Sequence, residues 1–206
     1  MNQLSATRVV QPPTARGLAT RSRLLAAALE AFATQGFHGT GTRDIAGLAE
    51  LSPAAVYIHY RSKEELLFAI SEAAHLDVRQ RVVSVSRTGA PEERLRGFVH
   101  AYSVWHAEHR LQARVAQYEM TALSAEHAES IARIRRSIER ALRSIISAGI
   151  NEGSFAVPTP RMATLAILSL GIDVARWYRE DGPWTPHDIG VAYEDLALGL
   201  VRWARP

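Results

Sequence analysis

The stretch Thr40-Gly41-Thr42-Arg43-Asp44-Ile45-Ala46-Gly47-Leu48-Ala49-Glu50-Leu51-Ser52-Pro53-Ala54-Ala55-Val56-Tyr57-Ile58-His59-Tyr60-Arg61-Ser62-Lys63 decides the fold. Thr40-Gly41 reads as a cap, and Asp44 lies in the first turn of a short helix, where a carboxylate offsets the unpaired N–H groups. That helix runs from Thr42 to about Glu50. Ser52-Pro53 starts a second short helix, with serine as the N-cap and proline at the first helical position, and it ends near Tyr60. Ser62 caps the next helix, with Glu65 three residues on as a capping box. Two short helices joined by a tight turn form the helix-turn-helix plan. Its second helix must be short, with small or polar outer residues, to enter a groove about 12 Å wide. The predicted inner face is Val56 and Tyr60 against Ile45 and Leu48. The turn Ala49-Glu50-Leu51 lacks glycine, so Glu50 is expected to take a left-handed conformation or the turn to be built differently.

Outward from this stretch, the pattern stays helical. Leu24, Leu25, Ala28, Leu29 and Phe32 share one face of a helix that stops at Gly36. Residues 1–19, with Pro12-Pro13 and Gly17, read as a flexible arm. The fourth helix continues through Leu66, Leu67, Ile70, Ala74 and Val78 towards Arg87, and Thr88-Gly89-Ala90-Pro91 then breaks the chain. Further helices are predicted from Leu95 through Trp105, over about 110–122 and 125–149, over 161–179, and over about 187–204. No sustained alternation or hairpin turn marks a strand. The expected fold is all-α, with about nine helices: an arm to residue 19, a three-helix domain over 20–66, and a larger domain over 67–206.

Bulk properties narrow the function. The 206 residues contain no cysteine, which excludes disulfides and thiolate metal sites, and carry a net charge of +3. Of the 24 basic residues Lys63 is the only lysine. The longest uncharged apolar run, Met162 to Ile172, is about half the ~20 residues of a bilayer span, so no membrane partner is expected and the chain reads as soluble and cytoplasmic. Glu30 interrupts the apolar run after Arg21 and Arg23 that imitates a signal peptide. An enzyme is not expected. Glu72-Ala-Ala-His75 is a single Glu-x-x-His spacing where a di-metal bundle needs two, and His106-Ala-Glu-His109 is not the zinc-protease pattern. No catalytic residue, metal site or cofactor is assigned. A helical interaction module with no DNA role is the alternative, and it would show little salt dependence towards duplex DNA.

Phe32-Ala33-Thr34-Gln35-Gly36-Phe37, Thr42-Arg43-Asp44-Ile45-Ala46 and Val56-Tyr57-Ile58-His59-Tyr60-Arg61-Ser62-Lys63-Glu64-Glu65-Leu66 resemble, in order and spacing, the DNA-binding signature of the tetracycline-repressor (TetR) family. The resemblance implies a homodimeric transcriptional regulator, a repressor by family expectation, that binds a palindromic double-stranded DNA operator. It implies phosphate contacts from Tyr57, His59 and Lys63. Thr42 and Arg43 would approach the backbone or a base edge, and Ser52, Pro53, Ala54 and Ala55 would face the groove. With such small groove-facing residues, specificity would lean on Arg43, on Arg8 and Arg16 in the arm, and on DNA shape.

The family implies that the larger domain dimerises and encloses a cavity for a small-molecule effector. The helix from Met162 has few polar positions and the last helix has a helical apolar stripe, so Leu165, Trp177, Ile189, Tyr193, Leu196, Leu200 and Trp203 are the dimerisation candidates, although burial inside one chain would give the same pattern. Phe98, Tyr102, Trp105, His106, Tyr118, Met120, Leu168 and Ile172 are the cavity candidates, each with ordinary core packing as the competing reading. Gly149-Ile-Asn-Glu-Gly-Ser-Phe155, Gly171-Ile-Asp-Val-Ala-Arg-Trp-Tyr-Arg and Asp181-Gly-Pro-Trp-Thr are similar to TetR-family regulators of fatty-acid and sterol breakdown, which respond to acyl-CoA thioesters. Such a ligand would need convergent arginines, with Arg135, Arg136, Arg140 and Arg176 available.

Overall fold

A computed structural model describes residues 15–202. Among these residues the chain forms nine α-helices and no strand. They are α1 (Ala15–Gly39), α2 (Thr42–Leu48), α3 (Pro53–His59), α4 (Lys63–Val85), α5 (Pro91–Glu108), α6 (Arg110–Tyr118), α7 (Ala125–Asn151), α8 (Pro160–Trp177) and α9 (Pro186–Val201), with a single 3₁₀ turn over Met120–Ala122. The first helix starts earlier than expected. Residues 15–19, read from sequence as arm, are already helical, and Arg16 lies on α1, where its backbone carbonyl accepts from the Thr20 hydroxyl. Arg8 and the rest of the arm lie outside the described residues, as does Trp203. Gly36 breaks α1 with φ of 71°, which only glycine adopts freely, and the helix resumes for one turn to Gly39.

Two cores share α4 and α6. The first lies among α1–α4: Leu24, Ala28, Phe32, Ile45, Val56, Tyr60, Leu66 and Leu67 are all buried. Leu48, expected on the inner face, is half-exposed instead. The second gathers α4, α5, α7, α8 and α9 around Phe98, Leu142, Ile145 and Ile146. Here α9 lies close along α5, because a Cβ at Gly190 would stand 2.7 Å from His100 Nδ1. The α7–α8 connection folds back by the same device: Phe155 occupies the space where a Gly149 side chain would be. No helix among the described residues is long and apolar enough to cross a membrane.

Candidate nucleic-acid interface and ligand cavity

Glu50 builds the helix-turn-helix turn in the left-handed region, with φ of 52°, the only positive value at a residue other than glycine among those described. The conformation is held from outside the turn, since Arg23 on α1 donates both to the Ala49 carbonyl and to the Glu50 carboxylate. A non-glycine residue there costs about 1 kcal/mol. Glu50→Gly is therefore expected to raise the unfolding free energy in urea melts by up to that amount, and a fall would mean that the Arg23 contact outweighs the strain.

The Ser52 hydroxyl caps α3 by accepting from Ala55 N at 3.3 Å. With Val56 and Tyr60 buried beneath, Ser52, Pro53, Ala54, Tyr57 and Ile58 face solvent, while Ala55 and His59 are half-buried. Ile58 is 78% exposed and was not among the sequence-derived site residues. Its spacing of four from Ala54 was the available signal. An exposed isoleucine beside Ala54 gives this face methyl groups suited to thymine C5-methyl contacts. The Tyr57 hydroxyl lies 3.1 Å from Thr42 Oγ1, which ties α3 to α2 and presents both oxygens on one surface with the exposed Arg43.

Lys63 stands at the start of α4, as expected, but is engaged within the protein. Its ammonium donates to the Phe37 carbonyl at 2.8 Å and the Thr40 carbonyl at 2.9 Å, and lies over the Phe37 ring at 4.3 Å from the centroid. Two of its three donors are therefore engaged within the protein, fastening the turn between α1 and α2 to the start of α4. One donor is left for a phosphate.

In the larger core a cavity of about 370 Å³ opens between α4, α5, α6, α7 and α8. Tyr102, Trp105, His106, Met120, Leu168 and Ile172 line it, as expected from sequence. Phe98 does not: it is fully buried in the core behind them. Tyr118 is exposed on the outer side of α6. Leu165, assigned from sequence to dimerisation, also reaches the cavity lining while remaining partly exposed on α8. Sequence reasoning missed His75, Gln117 and Ser169, and left open whether the arginines converge. Arg135 and Arg136 both reach this wall, but Arg140 does not, and Arg176 is paired with Asp173 at 2.6 Å. Arg136 pairs with Glu129, whereas among the described residues Arg135 donates to neutral acceptors, Gln117 Oε1 at 3.2 Å and Met120 Sδ at 2.9 Å. Tyr102 sits close against α8, where a Cβ at Gly171 would stand 2.5 Å from its ring.

Two family models match this chain: "Bacterial regulatory proteins, tetR family" over residues 24–70, and "Tetracyclin repressor-like, C-terminal domain" over residues 88–201. The chain belongs to the TetR family. It is 30% identical to the HTH-type transcriptional repressor KstR2 of Mycobacterium tuberculosis, over 88% of this chain and 92% of the relative. A solved TetR-family regulatory protein from Rhodococcus RHA1 is 43% identical, superposes with a TM-score of 0.86, and is matched over 90% of this chain and 98% of its own. The first match falls on the helix-turn-helix core and the second on the cavity-bearing helices, so this TetR-type chain is a DNA-binding transcriptional regulator with a ligand-binding C-terminal part.

The outer faces of α8 and α9 in this TetR-type regulator differ in detail from the sequence-derived dimerisation set. Ile189 is buried within its own chain against Ala107, Val174 and Tyr178, because the close approach of α9 to α5 at Gly190 turns it inward. Tyr193 and Leu200 are half-buried against the same chain's core, and Trp177 packs on that small cluster edge-on to Trp184. Leu196 is exposed, together with Met162, Leu170 and Val191, which were not singled out.

Proposed function

We propose that this regulator binds a palindromic operator as a homodimer, represses transcription, and is released when the apolar part of an acyl-CoA thioester enters the cavity. The observation that carries the coupling is the double role of the α6 segment. Ala113, Ala116, Gln117 and Met120 line the cavity, while Val115, Ala122 and Leu123 pack into the helix-turn-helix core. A ligand that displaces one face of this segment displaces the other. A second tie runs from Glu64, beside Lys63 on α4, to the start of α7: Glu64 Oε1 accepts from Ser124 N and from His127 Nδ1, both at 2.8 Å. The ring of His127 stacks on Phe68 at 3.8 Å. Because α7 also carries Arg135 and Ile138 on the cavity wall, both ties lead from ligand to reader. Productive binding needs two recognition helices about 34 Å apart, so a small tilt of α4 is enough to spoil the spacing.

Homodimerisation through α8 and α9 is supported by the exposed apolar residues Met162, Leu165 and Leu170 on α8 and Val191 and Leu196 on α9. The assigned phosphate contacts are Tyr57, His59, the free donor of Lys63 and Thr42, with Arg43, Ser52, Pro53, Ala54, Ala55 and Ile58 at base edges. Repression follows the relative named as a repressor, and the cytoplasm is where such a DNA reader acts, without catalysis. The acyl-CoA class is supported by an apolar cavity with two arginines at its wall. It is also supported by AibR, solved in complex with isovaleryl coenzyme A and operator DNA, which has this fold at 22% identity and a TM-score of 0.78. A cavity of about 370 Å³ is suited to the acyl group, with the larger nucleotide outside it, near the exposed Arg136.

The test is binding of the purified protein to its own upstream DNA at 50 and 200 mM salt, with and without an acyl-CoA panel. Affinity is expected to fall by about 10³-fold across that salt range, as for six or more phosphate contacts, and to fall again with one thioester. Ligand and operator must weaken each other by the same factor. Operator binding untouched by the whole panel would reject the acyl-CoA reading, and binding without salt dependence would reject the phosphate contacts.

A further inference from the structure

Three polar groups in the cavity wall find no partner among the described residues, and their protonation fixes what a ligand must offer. His75 Nδ1 lies 2.7 Å from the Ser71 carbonyl, and His106 Nδ1 lies 2.7 Å from the Tyr102 carbonyl. A carbonyl only accepts, so each Nδ1 carries the ring proton. Burial depresses the pKa of both imidazoles, that of His106 to about 4, and the Arg135 charge pushes His75 down further. Both rings are therefore neutral at pH 7, which leaves Nε2 as a bare lone pair. Neither Nε2 hydrogen-bonds to any described residue, and both residues line the cavity. The hydroxyl of Tyr102, which lines the same cavity, also has no partner among the described residues, and burial holds it protonated. The rings of Tyr102 and His106 stand 4.4 Å apart, and His75 lies near enough to His106 for its charge to act there, so these groups share one region of a lining that also carries Gln117, Glu139, Ser169 and the two arginines.

A neutral imidazole acceptor repels a carbonyl, carboxylate or thioester oxygen and is satisfied only by a donor. We propose that the cavity selects a ligand whose apolar part bears a hydroxyl group, which donates to Nε2 of His75 or His106 beside the Tyr102 hydroxyl, while Arg135 receives an accepting or anionic group elsewhere on the ligand. The inference rests on the cavity being the effector site, and it specifies the effector class as hydroxylated. An unsubstituted chain would leave buried acceptors unpaired, which a site built for a hydroxyl discriminates against.

Trp105 lines the cavity and reports binding by its own fluorescence, with no DNA present. The probes are octanoyl-CoA and its 2-, 3- and 8-hydroxy isomers, titrated into the full chain. At least one hydroxylated isomer is expected to bind about tenfold tighter than octanoyl-CoA. In His106→Phe or His75→Phe, each checked by thermal melting, the ratio between that isomer and octanoyl-CoA is expected to fall to about one. The proposal is overturned if no isomer binds more tightly than octanoyl-CoA, or if the preference survives in the double variant. Operator affinity measured separately distinguishes the two readings. Isomer-selective binding that leaves operator affinity unchanged would reject ligand-driven release while keeping the hydroxyl selectivity, and release by every thioester alike would do the reverse.

Discussion

Lys63→Ala is expected to destabilise the helix-turn-helix domain by about 3 kcal/mol and to abolish operator binding, because two charge-assisted hydrogen bonds are lost together. The Phe37 and Thr40 carbonyls that the ammonium satisfies lie at the break between α1 and α2, where helical hydrogen bonding stops. Deleting the side chain leaves both carbonyls without that donor and removes the cation over Phe37, which is itself in the core. Lys63→Arg is not expected to rescue the variant. The planar guanidinium cannot place one compact donor between two carbonyls and an aromatic face as a tetrahedral ammonium does. Urea unfolding and operator binding of both variants decide the matter. If Lys63→Ala unfolds like the parent and only its DNA affinity falls, the residue is a phosphate contact alone. The expected result explains why lysine persists here in a chain that otherwise uses 23 arginines.

Between pH 6.5 and 4 the protein is expected to lose about 3 kcal/mol of stability through His106 alone. Burial holds the folded pKa of this side chain near 4, while the unfolded chain titrates near the ordinary value of 6.5. The unfolded state therefore binds the proton first. The stabilising contribution is fully present above pH 6.5, declines as the pH falls, and is gone below 4. His75, also depressed by burial, steepens the same limb. The lowered carboxylates Glu64 and Asp77, held down by hydrogen bonds from Ser124 and His127 and from Trp105 and Arg81 against the opposing effect of burial, act at lower pH, below the ordinary carboxylate value. Urea melts from pH 7.5 to 4 should show the slope, and His106→Phe should flatten it. An unchanged slope in that variant would mean that His106 is not buried neutral, which would also remove the acceptor on which the hydroxyl selectivity depends.

Much of this molecule is set by local chemistry, and that part was legible. Caps at Ser52 and Ser62, the break at Gly36 and the apolar spacing of three and four place the helices within a few residues, because each signal acts within one turn of chain. The left-handed Glu50 was legible for the same reason, since a tight turn without glycine has few other solutions. The family, and with it DNA binding, follows from the spacing of Tyr57, His59, Tyr60 and Lys63. What the side chains do once the helices meet was not legible. Phe98, Tyr102 and Trp105 share one amphipathic pattern, yet Phe98 packs in solid core while its neighbours face a cavity, a difference set by how α6 and α8 stand off from α5. Ile189 and Leu196 are both apolar positions on α9, but the contact at Gly190 turns the first inward and the second stays exposed. Lys63 and His106 make the same point for polar groups. The sequence determined their presence; only tertiary packing, which brings carbonyls 23 and 26 residues away onto one ammonium and removes water from an imidazole, decided that one is a strut and the other a neutral acceptor.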